Sequence, residues 1–386
     1  MTPRILFVDH VGVLGGAELS LLDIAAHFKD TSRVVLFRDG PFRHRLEQAD
    51  VRVEVLAASQ KMTQVSREGG FLHDLQAVPA VLGQAWKLAR LARRYDVLYA
   101  NSQKSMITAA LAGQLARRPV IWHLRDLMTE EHFSPAHRAV TTLLSRLFID
   151  LVIGNSQATR DVFVQNGGSA SRAVTVHNGI DPAPFDRVEA DAVARLRDEL
   201  GLSDVRVVGV FSRLAEWKGQ HVLLEALPQL PSDVHALFVG GPLFQEDQRY
   251  ADKLKREAER LSLQDRVHFL GFRDDIPRLL HLTDVVVHTS TAPEPFGWVI
   301  VEGMMACKPV VATRAGGAIE ILDDSQTGRL VPPGDAAALA HALNDLLAHP
   351  EKAQRLAEAG QAAALTRFSL GAMMDRLHEH VQAIAR

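Results

Sequence analysis

Short runs of β-branched and aliphatic residues alternate along this chain with longer stretches of helical apolar spacing. In the first half the runs fall at residues 4–9, 33–37, 51–56, 96–100, 120–123 and 151–154. All but one precede a plausible helix, such as 17–28 or 102–116. Strands alternating with helices predict right-handed βαβ units around a parallel sheet. At residues 174–181 the text reads VTVHNGID, with Pro182 and Pro184 close behind. A strand running into Asn178-Gly179 and then prolines marks a turn and a domain boundary. The alternation restarts at 205–211, 236–239, 267–270, 285–288 and 310–312. From about Asp335 the chain is Ala-rich and helical, and a break at Phe368-Ser369 sets off a last helix, 370–384, expected to cross back to the first domain. The expected fold class is α/β: two Rossmann-like, doubly wound parallel-sheet domains facing a central cleft. The first takes residues 1–178 and 369–386, the second residues 179–368.

Composition narrows the function. A chain of 386 residues with 47% hydrophobic content suits two cores rather than one. Its net charge of -3 argues against a nucleic-acid binder, which needs a basic excess to neutralise phosphate. Cys307 is the lone cysteine, and no Cys/His cluster has zinc spacing, so the expectation is a cytoplasmic chain without disulfide or structural metal. No apolar stretch approaches the length of a membrane span, and contact with a membrane would be peripheral.

Ligands of open α/β sheets bind beyond the carboxyl ends of the strands, so chemistry is sought just after them. The first strand leads into Gly12-Val13-Leu14-Gly15-Gly16, which is neither GxGxxG nor a Walker loop. Gly15 and Gly16 let backbone approach a ligand beside a helix N-terminus, or simply make a tight turn. The corresponding loop of the second half, FSRLAEWKG from Phe211, carries Arg213 and Lys218. A forked guanidinium with a compact ammonium suits a diphosphate, although loop cations are also ordinary surface. The strongest signal is EPFGWVIVE, in which Glu294 lies in a loop and Glu302 in an otherwise apolar helix. A carboxylate there is costly unless paired. It accepts either from a ribose cis-diol or from a neighbouring basic side chain. Phe296 and Gly297 at that helix start offer backbone N–H groups useful for phosphate or sugar oxygens. His123 ends a strand in WHLRD, either packed or facing the cleft. Residues 86–94 form a basic helix with Lys87, Arg90, Arg93 and Arg94, either a solvated face or a surface for membrane or anionic acceptor. No two aspartates are separated by a single residue, so a DxD metal clamp is missing and cations and helix ends must meet any diphosphate charge.

With these residues in place, the chain resembles retaining glycosyltransferase family 4, of the GT-B fold. The resemblance covers nearly the whole chain. It rests on the glycine pair, HNGID, SRL…KG, EPFGWVIVE and the stretch KPVVAT from Lys308, followed by Gly316-Gly317 and Glu320. Where family members often carry Ala-Cys-Gly, this chain has Ala306-Cys307-Lys308, at a position that is not catalytic. The resemblance implies a nucleotide-sugar donor, UDP slightly favoured over GDP, no cofactor or metal, and a glycan or lipid-linked acceptor, as in bacterial surface polysaccharide or glycolipid synthesis. It implies that Glu302 holds the ribose, Glu294 contacts hydroxyls of the transferred sugar, and Arg213 and Lys218 bind the leaving diphosphate. Backbone at Phe296, Gly297 and Gly16 would approach sugar and phosphate, His123 would lie near the transferred sugar, and Phe272-Arg273 would border the base. The acceptor is expected on the first domain, where residues 61–75 and 128–137 carry no legible motif. A nucleotide-sugar epimerase of related fold and a non-catalytic binding subunit are the rival readings.

Overall fold

The computed structural model describes residues 2–12, 15–57, 71–130 and 133–385, the stretch 71–77 by its backbone alone. The chain divides into two compact units: Met1–Gly179 with Leu370–Arg386, and Ile180–Ser369.

The first unit is built on seven parallel strands. They are β1 (Ile5–Asp9), β2 (Ser32–Leu36), β3 (Val53–Val55), β4 (Val97–Ala100), β5 (Val120–Leu124), β6 (Leu151–Gly154) and β7 (Ala173–Thr175). Their order is β3-β2-β1-β4-β5-β6-β7. The second unit has β8 (Arg206–Phe211), β9 (Val234–Val239), β10 (Val267–Gly271), β11 (Val285–His288), β12 (Val310–Thr313) and β13 (Arg329–Val331), ordered β10-β9-β8-β11-β12-β13. Each sheet starts at its centre, winds outward, then crosses to the other side of its first strand. The topological switch points lie between β1 and β4 and between β8 and β11, where ligands of such sheets bind.

Helices cover both faces of each sheet, which is why the strands read as unbroken apolar runs. In β1, Ile5 and Phe7 join the core made with Leu21, Ile24, Met373 and Leu377, while Leu6 and Val8 face Leu88, Met106 and Ala109. The terminal helix Leu370–Ile384 thus belongs to the first unit's core. In β8, Val208 and Val210 take one face and Val207 and Phe211 the other. Burying each such side chain contributes roughly 1.5–3 kcal/mol. The strand β13, unanticipated from sequence, is a three-residue edge piece whose Arg-Leu-Val text is too short for a period to show.

Candidate active site

The loops after β8 and β11 flank the switch point of the second unit, and backbone contacts stitch them together. The Thr289 hydroxyl donates to the Lys218 carbonyl at 2.8 Å, and the Thr291 N–H donates to the Trp217 carbonyl at 2.8 Å. Gly219, with φ +69°, N-caps the helix Gln220–Ala226; a Cβ there would sit 2.0 Å from the Thr289 carbonyl oxygen. The left-handed backbone and the close approach both demand glycine. Gly219→Ala is expected to cost about 2–5 kcal/mol by adding overpacking to backbone strain. Gly334→Ala, at φ +74° with open space around it, should cost only the strain, about 1–2 kcal/mol. Chemical denaturation of the two variants checks the difference.

This stitching brings Lys218 onto Glu294. The Lys218 ammonium lies 2.7 Å from Glu294 Oε1 and 4.3 Å from the centre of the Trp217 ring. The same oxygen accepts from His288 Nε2 at 2.9 Å and from the Ser290 hydroxyl. His288 is oriented in turn by Thr313 Oγ1, 3.1 Å from its Nδ1. Burial pushes the Glu294 carboxyl up, but Lys218 and His288 outweigh it and hold the group well below the usual carboxylate range. Oε1 is saturated, whereas Oε2 has no partner among the described residues and is available to a ligand hydroxyl. Gly316 and Gly317 close the loop from behind: a Cβ on either would meet backbone of Glu294 or Phe296 within 2.3 Å, and the Gly317 N–H donates to the Glu294 carbonyl at 2.9 Å. Arg213 is held more loosely. Its Nε is 3.6 Å from Asp247, and its guanidinium lies over the Phe244 ring, 5.2 Å from the centre.

Glu302 contrasts with Glu294. It sits in the helix Trp298–Met305 between buried Val301 and Gly303, and among the described residues its carboxyl meets no cation and no hydrogen-bond donor side chain. Burial without compensation raises its pKa to about 7. Of the two partners open to Glu302 in the sequence, a basic neighbour is thus not what the fold provides. Gly297 N-caps this helix at φ +110°, while the Phe296 ring is buried against Trp298 and Phe368, leaving only backbone at 296 to meet a ligand. Beyond β10, Phe272 is 88% exposed, and Arg273 turns onto Asp275 through contacts of 2.8 and 2.6 Å.

The first unit has its own polar centre at the β1/β4 switch point. Asp9, fully buried, accepts from Asn101 at 2.6 Å; Arg125 donates to Asn101 at 2.7 Å and to Asn178 at 3.0 Å. The same Arg125 reaches His123 Nδ1 at 3.1 Å, and the Tyr99 hydroxyl meets that nitrogen at 2.5 Å. Because a guanidinium only donates, Nδ1 must accept and the ring proton sits on Nε2. Burial, then the charge of Arg125, lowers the His123 pKa well below its ordinary value, so the ring is neutral. Among the described residues its buried Nε2 has no partner. Gly15 N-caps the helix opened by Gly16, within 2.8 Å (as measured from an added Cβ) of the Glu18 carboxylate. Burial and then Asp9 raise the Glu18 pKa. Val13 and Leu14, like residues 58–70, lie outside the described residues.

Two families match the halves of this chain: the glycosyl transferase 4-like domain over residues 15–179, and glycosyl transferases group 1 over residues 193–363. The crystal structure of Anabaena Alr3699/HepE in complex with UDP is similar at 41% identity and a TM-score of 0.89, covering 98% of this chain and 100% of that one. The chain belongs to glycosyltransferase family 4. The two sheets are those of the GT-B fold. HepE in complex with UDP-glucose gives a TM-score of 0.88 at 41% identity, over 99% of this chain and 100% of that one. The GDP-mannose-dependent alpha-(1-6)-phosphatidylinositol monomannoside mannosyltransferase of Mycolicibacterium smegmatis is 34% identical over 242 residues, 60% of this chain and 61% of that protein. The family 4 chain thus spans less than two thirds of that relative's length.

Several polar residues of this family 4 chain escaped the sequence reading. His288 and Ser290 complete the cradle of Glu294, and Arg125 with Asn101 and Asn178 orders His123. A signal did exist for two of them, since His288 ends an all-valine run and Arg125 follows His123 by two positions.

Proposed function

We propose that this glycosyltransferase moves a sugar from a nucleotide-sugar donor, UDP-linked in preference to GDP-linked, to a glycan or lipid-linked acceptor with retention of anomeric configuration. The processes this fits are surface polysaccharide and glycolipid synthesis. The observation that carries the reading is Glu302, a carboxyl in an apolar helix with no partner among the described residues. A ribose cis-diol supplies two donors that such a group accepts together. The remaining roles follow from chemistry. Glu294 Oε2 takes a sugar hydroxyl. Lys218 keeps two N–H groups beyond its bond to Glu294, and with Arg213 these meet the diphosphate, along with the backbone N–H groups at Phe296 and Gly297. Phe272 and Arg273 border the base. In the first unit, Gly15 and Gly16 present backbone to phosphate, and neutral His123 offers Nε2–H to a sugar oxygen. Negative charge grows on the diphosphate as the anomeric C–O bond breaks, so Arg213 and Lys218 stabilise the transition state beyond the ground state. The UDP preference is supported by the full-length likeness to HepE at 41% identity, against the shorter match to a GDP-mannose-dependent relative.

A thermal-shift panel of UDP-, GDP- and ADP-sugars, each beside its bare nucleotide, tests the donor. UDP-sugars should raise the melting temperature most, by the equivalent of about 2.7 kcal/mol at a hundredfold excess over Kd, and added EDTA should leave both shift and turnover unchanged. Stabilisation by GDP-sugars alone would contradict the donor assignment. Epimerised donor without transfer, seen by NMR, would contradict the reaction.

A further inference from the structure

Three neighbouring helices of the first unit, Phe71–Ala92, Gln103–Ala116 and Pro135–Phe148, form one layer on its sheet, the middle one packed against both others. Each connects parallel strands, so all three run in the same direction. The last of them is inside out: Thr141, Thr142 and Ser145 are buried, while Val140, Leu143 and Leu147 are each more than half exposed. The spacing i, i+3, i+7 places these three on one helix face. The first helix repeats the pattern with Leu82 and Trp86, and Leu115 adds to it from the helix between. Single exposed apolar residues are ordinary, but two helical stripes in one layer are not.

The charge around these stripes is one-sided. Residues 71–148, which span the three helices, hold ten Lys and Arg against five acidic residues, in a chain whose net charge is -3. Among the described residues Lys87, Arg90, Arg93, Arg94, Arg117 and Arg146 have no carboxylate within ion-pair distance, although cations elsewhere in the chain are paired, Arg4 on Asp96 for one. The Arg90 guanidinium instead lies 4.9 Å over the Trp86 ring. These cations gather at the C-terminal ends of the helices, beside Trp86, Leu115 and Leu147.

We propose that this helix layer docks on an anionic phospholipid surface, with the apolar stripes entering the headgroup boundary and the cations meeting lipid phosphates. Apolar side chains that include a tryptophan, flanked by unpaired arginines, match the chemistry of that interface. A second copy of the chain fits worse, since a two-fold contact would set the same cations against each other. No described helix is long and apolar enough to cross a membrane, so the contact is a surface one. The proposal does not depend on the donor assigned above.

Sedimentation of the full chain with vesicles tests it, using phosphatidylcholine alone and phosphatidylcholine mixed with phosphatidylglycerol. The protein should pellet with the anionic vesicles and be released by high salt, which shortens electrostatic reach to about 3 Å at 1 M. Leu143→Ser with Leu147→Ser, and separately Arg90→Gln with Arg94→Gln, should each weaken partitioning by roughly tenfold or more. Both pairs are exposed, so melting temperature and donor turnover in solution should hold. Equal pelleting with neutral vesicles, no pelleting with anionic ones, or pairs of substitutions without effect would overturn the proposal. So would light scattering that shows a dimer which the Leu143→Ser, Leu147→Ser chain no longer forms.

Discussion

Replacing Glu302 with glutamine stabilises the unliganded protein above pH 7 and weakens its grip on nucleotide. The two effects share one cause. Burial without a partner lifts the Glu302 pKa to about 7, so the folded chain holds this proton more tightly than the unfolded chain, whose carboxyl titrates near 4.5. Stability is therefore highest below the unfolded value and is lost as pH rises through about 7. The loss is at most about 3 kcal/mol, and a neutral amide avoids it. Melting curves of Glu302→Gln and the parent should coincide near pH 4 and separate by pH 8, with the variant higher. An amide carries no charge to hold the ribose diol, and a hydrogen bond to a charged group contributes about 1.5–3 kcal/mol. Nucleotide affinity by calorimetry should then fall about 10- to 100-fold. A variant that loses stability at pH 8, with affinity intact, would mean that Glu302 is held by the protein after all.

Lys218→Ala should be the most damaging single change to both stability and turnover. It strips the ammonium from a buried carboxylate already desolvated, and breaking such a pair costs about 3–5 kcal/mol. It also removes a charge from the site of the departing diphosphate, worth about 10²–10³ in kcat. The two losses are separable. Lys218→Ala combined with Glu294→Ala should recover much of the stability, because no charge is left stranded, and none of the turnover. Arg213→Ala, whose partner Asp247 lies at 3.6 Å, should lower kcat with a smaller change in stability and little in donor Kd. Equal losses in kcat and affinity would count against stabilisation of the leaving group. Acid acts on the same pair: the depressed Glu294 pKa contributes stability above about pH 4.5, lost progressively as pH falls below it.

The alternation of strands and helices could be read directly because each parallel strand is buried on both faces. The runs at 151–154 and 285–288 coincide with β6 and β11 for that reason. Text of three residues, as in β13, carries no such period. The loops that hold Arg213, Lys218 and Glu294 were visible as punctuation after strands, yet the ion pair between Lys218 and Glu294 was not, since it depends on β8 and β11 being neighbours. The network around His123 was hidden in the same way. Asp9 and Asn101 are ninety-two positions apart and meet only because β1 and β4 pair. Whether Glu302 had a basic neighbour could not be decided from its helix alone, because such a neighbour is free to come from any packed element.

The central claim is that Glu302 and the cations after β8 grip an activated sugar by its ribose and its diphosphate. A crystal structure of the protein with UDP tests it most directly. Both Glu302 carboxylate oxygens should lie about 2.7 Å from the ribose hydroxyls, with Arg213 and Lys218 on the phosphate oxygens. A nucleotide seated away from Glu302, with Lys218 still committed only to Glu294, would contradict it.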